Sequence, residues 1–355
     1  AVSMWGADRI SLLAGSATAG VAAQALILLV SWKRLGLNLN LNFRWRGFGL
    51  RPALKAASWS LAMVLVTQIG GLVQTAVAST AAAGRDSSIG VASVAAAAIA
   101  WLIFMLPHSV VTVSVATAYF TRMSQHAAAG EMSSFKTDLT NGLKVIGLVS
   151  VISSALLMLL AYPVARVFAG EYPATIALGN VIMALMVGLV PFSFVYMMQR
   201  AFFALEDTRT PFVFTSIQIA FHIAGSLALG ATMPKQWLVV SLSLLTGSTI
   251  VLQGLIAYFL LKRKIGGLKG YGIGKSLGVF VLAAIPSISL GYGTLWLWGG
   301  IGPNTFAVDK VFGAVVVSGT VAAVTLGSYL ALLWLFRVPQ LREVSGALSS
   351  RLKRR

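Results

Sequence analysis

Nine stretches of this chain contain no lysine, arginine, aspartate or glutamate, with approximate cores at 10–32, 56–80, 89–120, 145–165, 174–198, 212–233, 237–261, 276–298 and 311–336. Each is long enough, as a helix, to cross the ~30 Å hydrocarbon core of a bilayer. All 36 charged residues, 27 basic and 9 acidic, fall outside these cores. A hydrocarbon interior that excludes ionised groups is the simplest cause of such segregation. The chain therefore reads as all-α, a polytopic helical membrane protein with nine transmembrane helices. The composition, 57% hydrophobic and 10% charged, lies far from the roughly 25% charged residues of soluble domains. That excludes the ordinary soluble enzyme.

The connecting segments predict an orientation. The segments after spans 1, 3, 5 and 7 and the C-terminal tail together hold 22 basic residues, and the alternate set holds 5. By the positive-inside rule the basic set is cytoplasmic, which puts the N-terminus outside and the C-terminus inside. The net charge of +18 thus belongs to a membrane face, and no nucleic-acid partner is expected. The chain starts at Ala1 on the non-cytoplasmic side without the basic flank of a signal peptide. It is expected to be the C-terminal part of a longer protein. Residues 37–55 form a basic cytoplasmic linker, read as interfacial, and 338–355 a basic tail; both suit anionic lipid headgroups.

The absence of cysteine removes disulfides and thiolate chemistry. Three histidines and nine acids, widely scattered, offer no metal site and no Ser/His/Asp set. The glycine-rich run Gly266–Gly272 follows a membrane helix and reads as a loop. No Walker A pattern is present. Uncharged polar groups inside the apolar runs are the more telling candidates. Gln68, Gln74 and Thr75 on the second span need a partner, which interhelical packing or a polar cavity would supply. His108 follows Pro107, and His222 sits beside Gln218 in the sixth span; a titratable residue in the membrane is either a hydrogen-bonded core group or a functional one. Pro107 and Pro191 each remove a backbone donor and predict a bend, with Pro107 a candidate hinge. In Arg200–Pro211, Glu206 and Asp207 can pair with Arg200 and Arg209. Thr210 can cap the following helix, and Pro211 suits its first position. A structural turn or a cytoplasmic gate would both use these residues.

This turn, Arg-Ala-Phe-Phe-Ala-Leu-Glu-Asp-Thr-Arg-Thr-Pro, resembles the Tyr-Ala-x-x-Asp-Thr-Lys/Arg-Thr-Pro signature of the MurJ/MviN family, proposed lipid II flippases of bacterial peptidoglycan synthesis. Leu106–Thr117 resembles that family's Pro-x-Gly-Val-x-x-Val-Ala-x-x segment. Thr67-Gln68-Ile69 with Gln74 and Thr75 resembles its Ser-Gln-Ile…Asn-Thr helix. The resemblance covers nearly the whole chain. It implies helices six to fourteen of a fourteen-helix transporter of the MOP superfamily. Residues 1–36 would be the last helix of the first lobe, 56–262 a six-helix second lobe, and 263–337 an extra helix pair.

The resemblance further implies alternating-access flipping of lipid II, or a related polyprenyl-diphosphate lipid, in the bacterial inner membrane, without covalent catalysis. The first lobe of the same protein would be a partner. Gln68, Gln74, Thr75, Trp101, His108 and His222 would line the cavity, while Arg200, Asp207, Arg209 and Pro211 would form the cytoplasmic gate. The arginine that the family often carries ahead of the bent helix's proline has no counterpart in Ala100–Met105. No cofactor is expected. Coupling to protons, sodium or membrane potential is not assigned, since no acidic residue sits in a predicted core. The alternatives are an exporter of drugs or of other polyprenyl-linked polysaccharide precursors, and a non-transporting scaffold for cell-wall enzymes.

Overall fold

The computed structural model describes residues 7–32, 50–81, 90–268, 270 and 272–341. The chain divides into two compact units, 1–53 and 54–355. The first contains α1 (Ala7–Trp32), whose apolar part is Ala14–Ile27. Most of the basic linker and nearly all of the basic tail lie outside the described residues, although Arg51 and Lys55 belong to the start of α2 (Leu50–Ser79).

After α2 come α3 (Val94–Pro107), a π-turn (His108–Thr112) and α4 (Val113–Ala128), one continuous span of 35 residues. Next are α5 (Met132–Leu159), α6 (Ala161–Phe168), α7 (Tyr172–Met186) and α8 (Leu189–Ala204). The remainder is α9 (Arg209–Thr232), α10 (Lys235–Ile265), α11 (Ile273–Leu297), the single turn α12 (Phe306–Asp309) and α13 (Val311–Leu335). Among the described residues, seven helices are long and apolar enough to cross a membrane, eight spans when the bent pair α7–α8 is counted as one. The first of the nine spans read from the sequence falls on α1. Helix is the expected answer throughout, because hydrocarbon leaves a backbone no other way to satisfy its own polar groups within one segment.

The second unit turns apolar side chains in both directions. Leu61, Leu65 and Leu72 on α2, Leu282 and Leu297 on α11, and Phe312 and Leu335 on α13 are all well exposed. A belt of this kind is costly in water and costs nothing against lipid. Inside, one cluster joins α3, α6, α7, α8 and α10 around Phe104, Ile182 and Leu189. A second joins α4, α5, α8 and α10 around Met123, Phe135 and Phe202. The α11–α13 pair is fastened to α5 by a third, through Phe280, Tyr329 and Leu148, with the Tyr329 hydroxyl donating to the Leu148 carbonyl at 3.0 Å. At the far end the Arg166 guanidinium donates to the carbonyls of Asp309 and Gly170. The bonds to Asp309 tie α6 to the end of α12 without any carboxylate.

The two prolines act differently. Pro107 does not break its span: the His108 N–H bonds Met105 O and the Val113 N–H bonds His108 O, so a wide π-turn absorbs the lost donor and the helix resumes. Pro191 lies in the first turn of α8, where its missing N–H costs little. The 43° bend sits before it, at Val187–Gly188. There the chain passes Gly247 of α10 so closely that a Cβ on Gly188 would lie 2.9 Å from the Gly247 Cα.

Candidate functional site

A cavity of about 660 Å³ opens among α2, α3, α8, α9 and α10. Its wall follows from helical spacing. Gln218 and His222 are four apart on α9, and Thr246, Thr249 and Gln253 are three and four apart on α10, so each set lies on one face. The faces meet in a ladder of neutral polar contacts. Gln218 Nε2 donates to Thr249 Oγ1 at 3.1 Å, and Gln253 Nε2 donates to Thr215 Oγ1 at 3.0 Å. Gln74 Nε2 reaches from α2 to Thr246 Oγ1 at 3.0 Å. The His222 ring nitrogen Nδ1 lies 3.4 Å from Thr249 Oγ1. Trp101 of α3 and Tyr196 of α8 complete an aromatic side. Among the described residues, no lysine, arginine, aspartate or glutamate lines the space.

Of the residues expected on this wall, Gln68, Gln74, Thr75, Trp101 and His222 line it. His108 does not, which corrects the sequence reading. It is buried at 3% exposure, with Nδ1 3.4 Å from Ser193 Oγ and its ring against Phe192 and Tyr196 at 4.5 and 5.1 Å. The imidazole packs behind the aromatic side because Ser193 gives it a polar partner there. Gln199, Gln218 and Gln253 also line the cavity. Gln218 was already conspicuous beside His222, and Gln253 stands out within its apolar run just as the amides of α2 do, so the same signal could have found it; Gln199 lies just past the end of its run.

The α8–α9 turn differs from its sequence reading in its pairings. Glu206 takes a left-handed conformation, φ 56°, and neither it nor Asp207 pairs with Arg200 or Arg209. Asp207 instead accepts from the Thr210 N–H at 2.9 Å, from Thr210 Oγ1 at 2.7 Å and from Lys264 Nζ of α10 at 2.5 Å. The capping side chain is thus Asp207 rather than Thr210, and Pro211 is the third residue of α9 rather than the first. Burial pushes the Asp207 carboxyl up, but the Lys264 and Thr210 hydrogen bonds outweigh it and hold the group below its ordinary value. Arg200 donates to the Tyr196 hydroxyl at 2.6 Å and lies over the Phe120 and Tyr196 rings at 5.5 and 5.0 Å. Arg209 lies 5.8 Å from the Trp59 ring centre. Both arginines satisfy their charge on aromatic faces. Through Tyr196, Arg200 touches a residue of the cavity wall.

The sequence reading missed a charged cluster at the same end. Asp138 of α5, 3% exposed in its side chain, pairs with Arg122 at 2.6 Å and with His126 Nε2 at 3.3 Å. His126 Nδ1 meets Glu131 at 2.8 Å. The i, i+4 spacing of Arg122 and His126 on α4 was the available signal.

The family model for lipid II flippase MurJ matches residues 1–339 of this chain. The probable lipid II flippase MurJ of Rhizobium meliloti (strain 1021) is 27% identical over 168 residues, 46% of this chain and 30% of that protein. That of Buchnera aphidicola subsp. Acyrthosiphon pisum (strain APS) is 27% identical over 206 residues, covering 57% and 39%. Among solved structures, lipid II flippase MurJ in an inward closed conformation superposes with a TM-score of 0.58 at 19% identity, over 77% of this chain and 52% of that one. The chain therefore spans well under two thirds of the proteins it matches, and the structural likeness speaks for the fold.

Proposed function

Since this chain belongs to the MurJ lipid II flippase family, we propose that it contributes the second lobe and the extra helix pair of a transporter that moves lipid II across the bacterial cytoplasmic membrane by alternating access. The observation that carries the reading is the polar cavity inside a bundle whose outside is apolar. A sugar–diphosphate headgroup cannot enter hydrocarbon unaided, whereas its polyprenyl tail is at home there. A protein that lends the headgroup a polar interior, and leaves the tail in lipid, lowers the barrier without making or breaking a covalent bond.

In this reading Gln68, Gln74, Thr75, Trp101 and His222 face the headgroup's route. The turn of Arg200, Asp207, Arg209 and Pro211 holds the cytoplasmic ends of α8, α9 and α10 together. The first lobe of the same transporter is the partner that closes the pathway, and anionic lipids meet the basic ends of the helices.

The test is expression of the gene carrying this chain in bacteria depleted of their own flippase. Delivery of labelled lipid II to the outer leaflet is then measured by its accessibility to an externally added enzyme. Restored delivery supports the reading, and wild-type protein in the membrane with no delivery overturns it. Joint substitution of Arg200 and Asp207 separates a transporter, which loses flux, from a scaffold, which does not.

A further inference from the structure

The apolar core of the second unit is divided across the middle of its helices. One cluster takes in Phe104 of α3, Ile182 of α7, Leu189 of α8 and Leu242 of α10. The other takes in Ala116 of α4, Leu139 of α5, Phe202 of α8 and Ala257 of α10. The first lies in the far half of the helices, and the second in the basic half that carries Arg122, Arg200 and Lys264. The α11–α13 pair repeats the division: Leu295 and Val317 join Leu160 of α5, whereas Phe280 and Tyr329 join Leu148. Each half is braced within itself. In the far half, the Tyr162 hydroxyl donates to Asn180 Oδ1 at 2.8 Å, between α6 and α7. In the basic half, the Arg122–Asp138 pair ties α4 to α5, and the Asp207–Lys264 pair ties the α8–α9 turn to α10.

What lies between the halves is polar or irregular. Along α3–α4 the first cluster's packing ends at Met105 and the second's begins at Val115, and the π-turn at His108–Thr112 falls in that gap. Along α8 the border runs between Phe192 and Phe194. The residue at that border, Ser193, is the one that meets the His108 ring at 3.4 Å. On α10, among the described residues, the stretch between Leu242 and Ile256 belongs to neither cluster. It holds Thr249 and Gln253, whose hydrogen bonds cross to Gln218 and Thr215 of α9. It also holds Gly247, which Gly188 touches beside the 43° bend of α7–α8. Close-packed apolar side chains move together as a solid. A helix bends where its hydrogen-bond ladder is already interrupted, and neutral polar pairs beside a cavity can exchange partners with water at little cost.

We propose that the second unit is not one rigid lobe: its basic half tilts against its far half about this waist. The π-turn and the α7–α8 bend are the joints, and the Gly188–Gly247 contact is the pin. Four helices, α5, α10, α11 and α13, run unbroken through the waist, which allows a tilt and forbids separation. The cavity straddles the border, since Leu185 and Leu242 line it from the far half and Val195 and Tyr196 from the basic half. Tilting therefore changes the width of the cavity toward the basic end while the far half keeps its packing. The device goes beyond the flippase reading and holds whatever the cavity carries.

The experiment uses the 355-residue chain, which has no cysteine of its own, in lipid nanodiscs with pairs of spin labels on introduced cysteines. Gly170→Cys and Ala231→Cys mark exposed positions of the far half, and Gln125→Cys and Arg263→Cys mark exposed positions of the basic half. A tilt of about 10° over an arm of about 20 Å displaces a label by about 3–4 Å, within reach of pulsed electron double resonance. Pairs within one half, 170 with 231 and 125 with 263, should give single narrow distance distributions. Pairs across the waist, 170 with 263 and 231 with 125, should be broader by about 3 Å or split in two. Replacing both members of both ladder pairs, Gln218→Leu with Thr249→Val and Gln253→Leu with Thr215→Val, trades exchangeable contacts for apolar packing and should narrow the distributions across the waist. Distributions across the waist as narrow as those within each half would show a rigid lobe and overturn the proposal. Equal breadth in all four pairs would overturn it as well, because the halves would then not be units. Unchanged breadth in the fourfold variant would overturn the polar waist as the seat of the motion.

Discussion

Asp207 accepts from Lys264 and twice from Thr210, and these bonds lower its carboxyl pKa against the opposing pull of burial. A carboxylate whose folded pKa lies below its unfolded one adds stability that is complete above the ordinary carboxylate range and vanishes as pH falls through the lowered value. Asp207→Asn is therefore expected to lower the melting temperature in detergent near neutral pH, by the equivalent of about 1 kcal/mol for a partly solvated pair. The gap from the parent should close in strongly acidic buffer and narrow in high salt. A constant gap across pH would mean that the turn depends on side-chain shape and not on charge. At this scale the sequence was half legible. Gln68, Gln74 and His222 could be singled out because a polar side chain in an apolar run is conspicuous. Their partners could not, because Thr215, Thr246 and Thr249 are unremarkable until the helices are brought together. Asp138 was hidden for a similar reason, since a carboxylate next to a membrane span reads as solvated until Arg122 and His126 are found against it.

Apolar runs fix where a helix must be dry, and they located every described span of the second unit. They do not fix where it ends. The α5 core was read from residue 145, yet the helix starts at Met132, because beyond the hydrocarbon its length is set by ordinary helix propensity and by the α4 contacts. Proline was a poorer guide to the bend in α7–α8 than glycine, since the decisive event is a close approach between two helices and not a missing donor. Gly188→Ala would bring a Cβ against the Gly247 backbone. Because backbone cannot rotate away as a side chain can, α8 and α10 must separate, at about 1–3 kcal/mol. Gly170→Ala meets only open space and should stay within about 0.5 kcal/mol of the parent. Thermal melts of both variants in one detergent check the comparison. Equal stability would show that the bend does not depend on this contact.

Most described basic residues of the second unit sort by the ends of its helices. Arg122, Lys136, Arg200, Arg209, Lys262, Arg263, Lys264 and Lys275 stand where α4, α8 and α10 finish and α5, α9 and α11 begin, and the Asp207–Lys264 pair joins two of those ends directly. Arg166, Lys235 and Lys310 stand at the opposite ends. This segregation matches the alternation in the loops, which is why the topology was easier to read from the sequence than any single contact. Its orientation in the membrane is a prediction. Insertion retains the more basic end in the cytoplasm, so Arg263 should face inward and the α11–α13 connection outward. The chain has no cysteine, and single cysteines can therefore be introduced without a background. Pro303→Cys should react with a membrane-impermeant maleimide in intact cells, and Arg263→Cys only after the membrane is opened. The reverse pattern would invert the topology. Equal labelling of both in intact cells would mean that the spans between them do not separate two aqueous compartments, and the membrane reading of the whole molecule would fall with it.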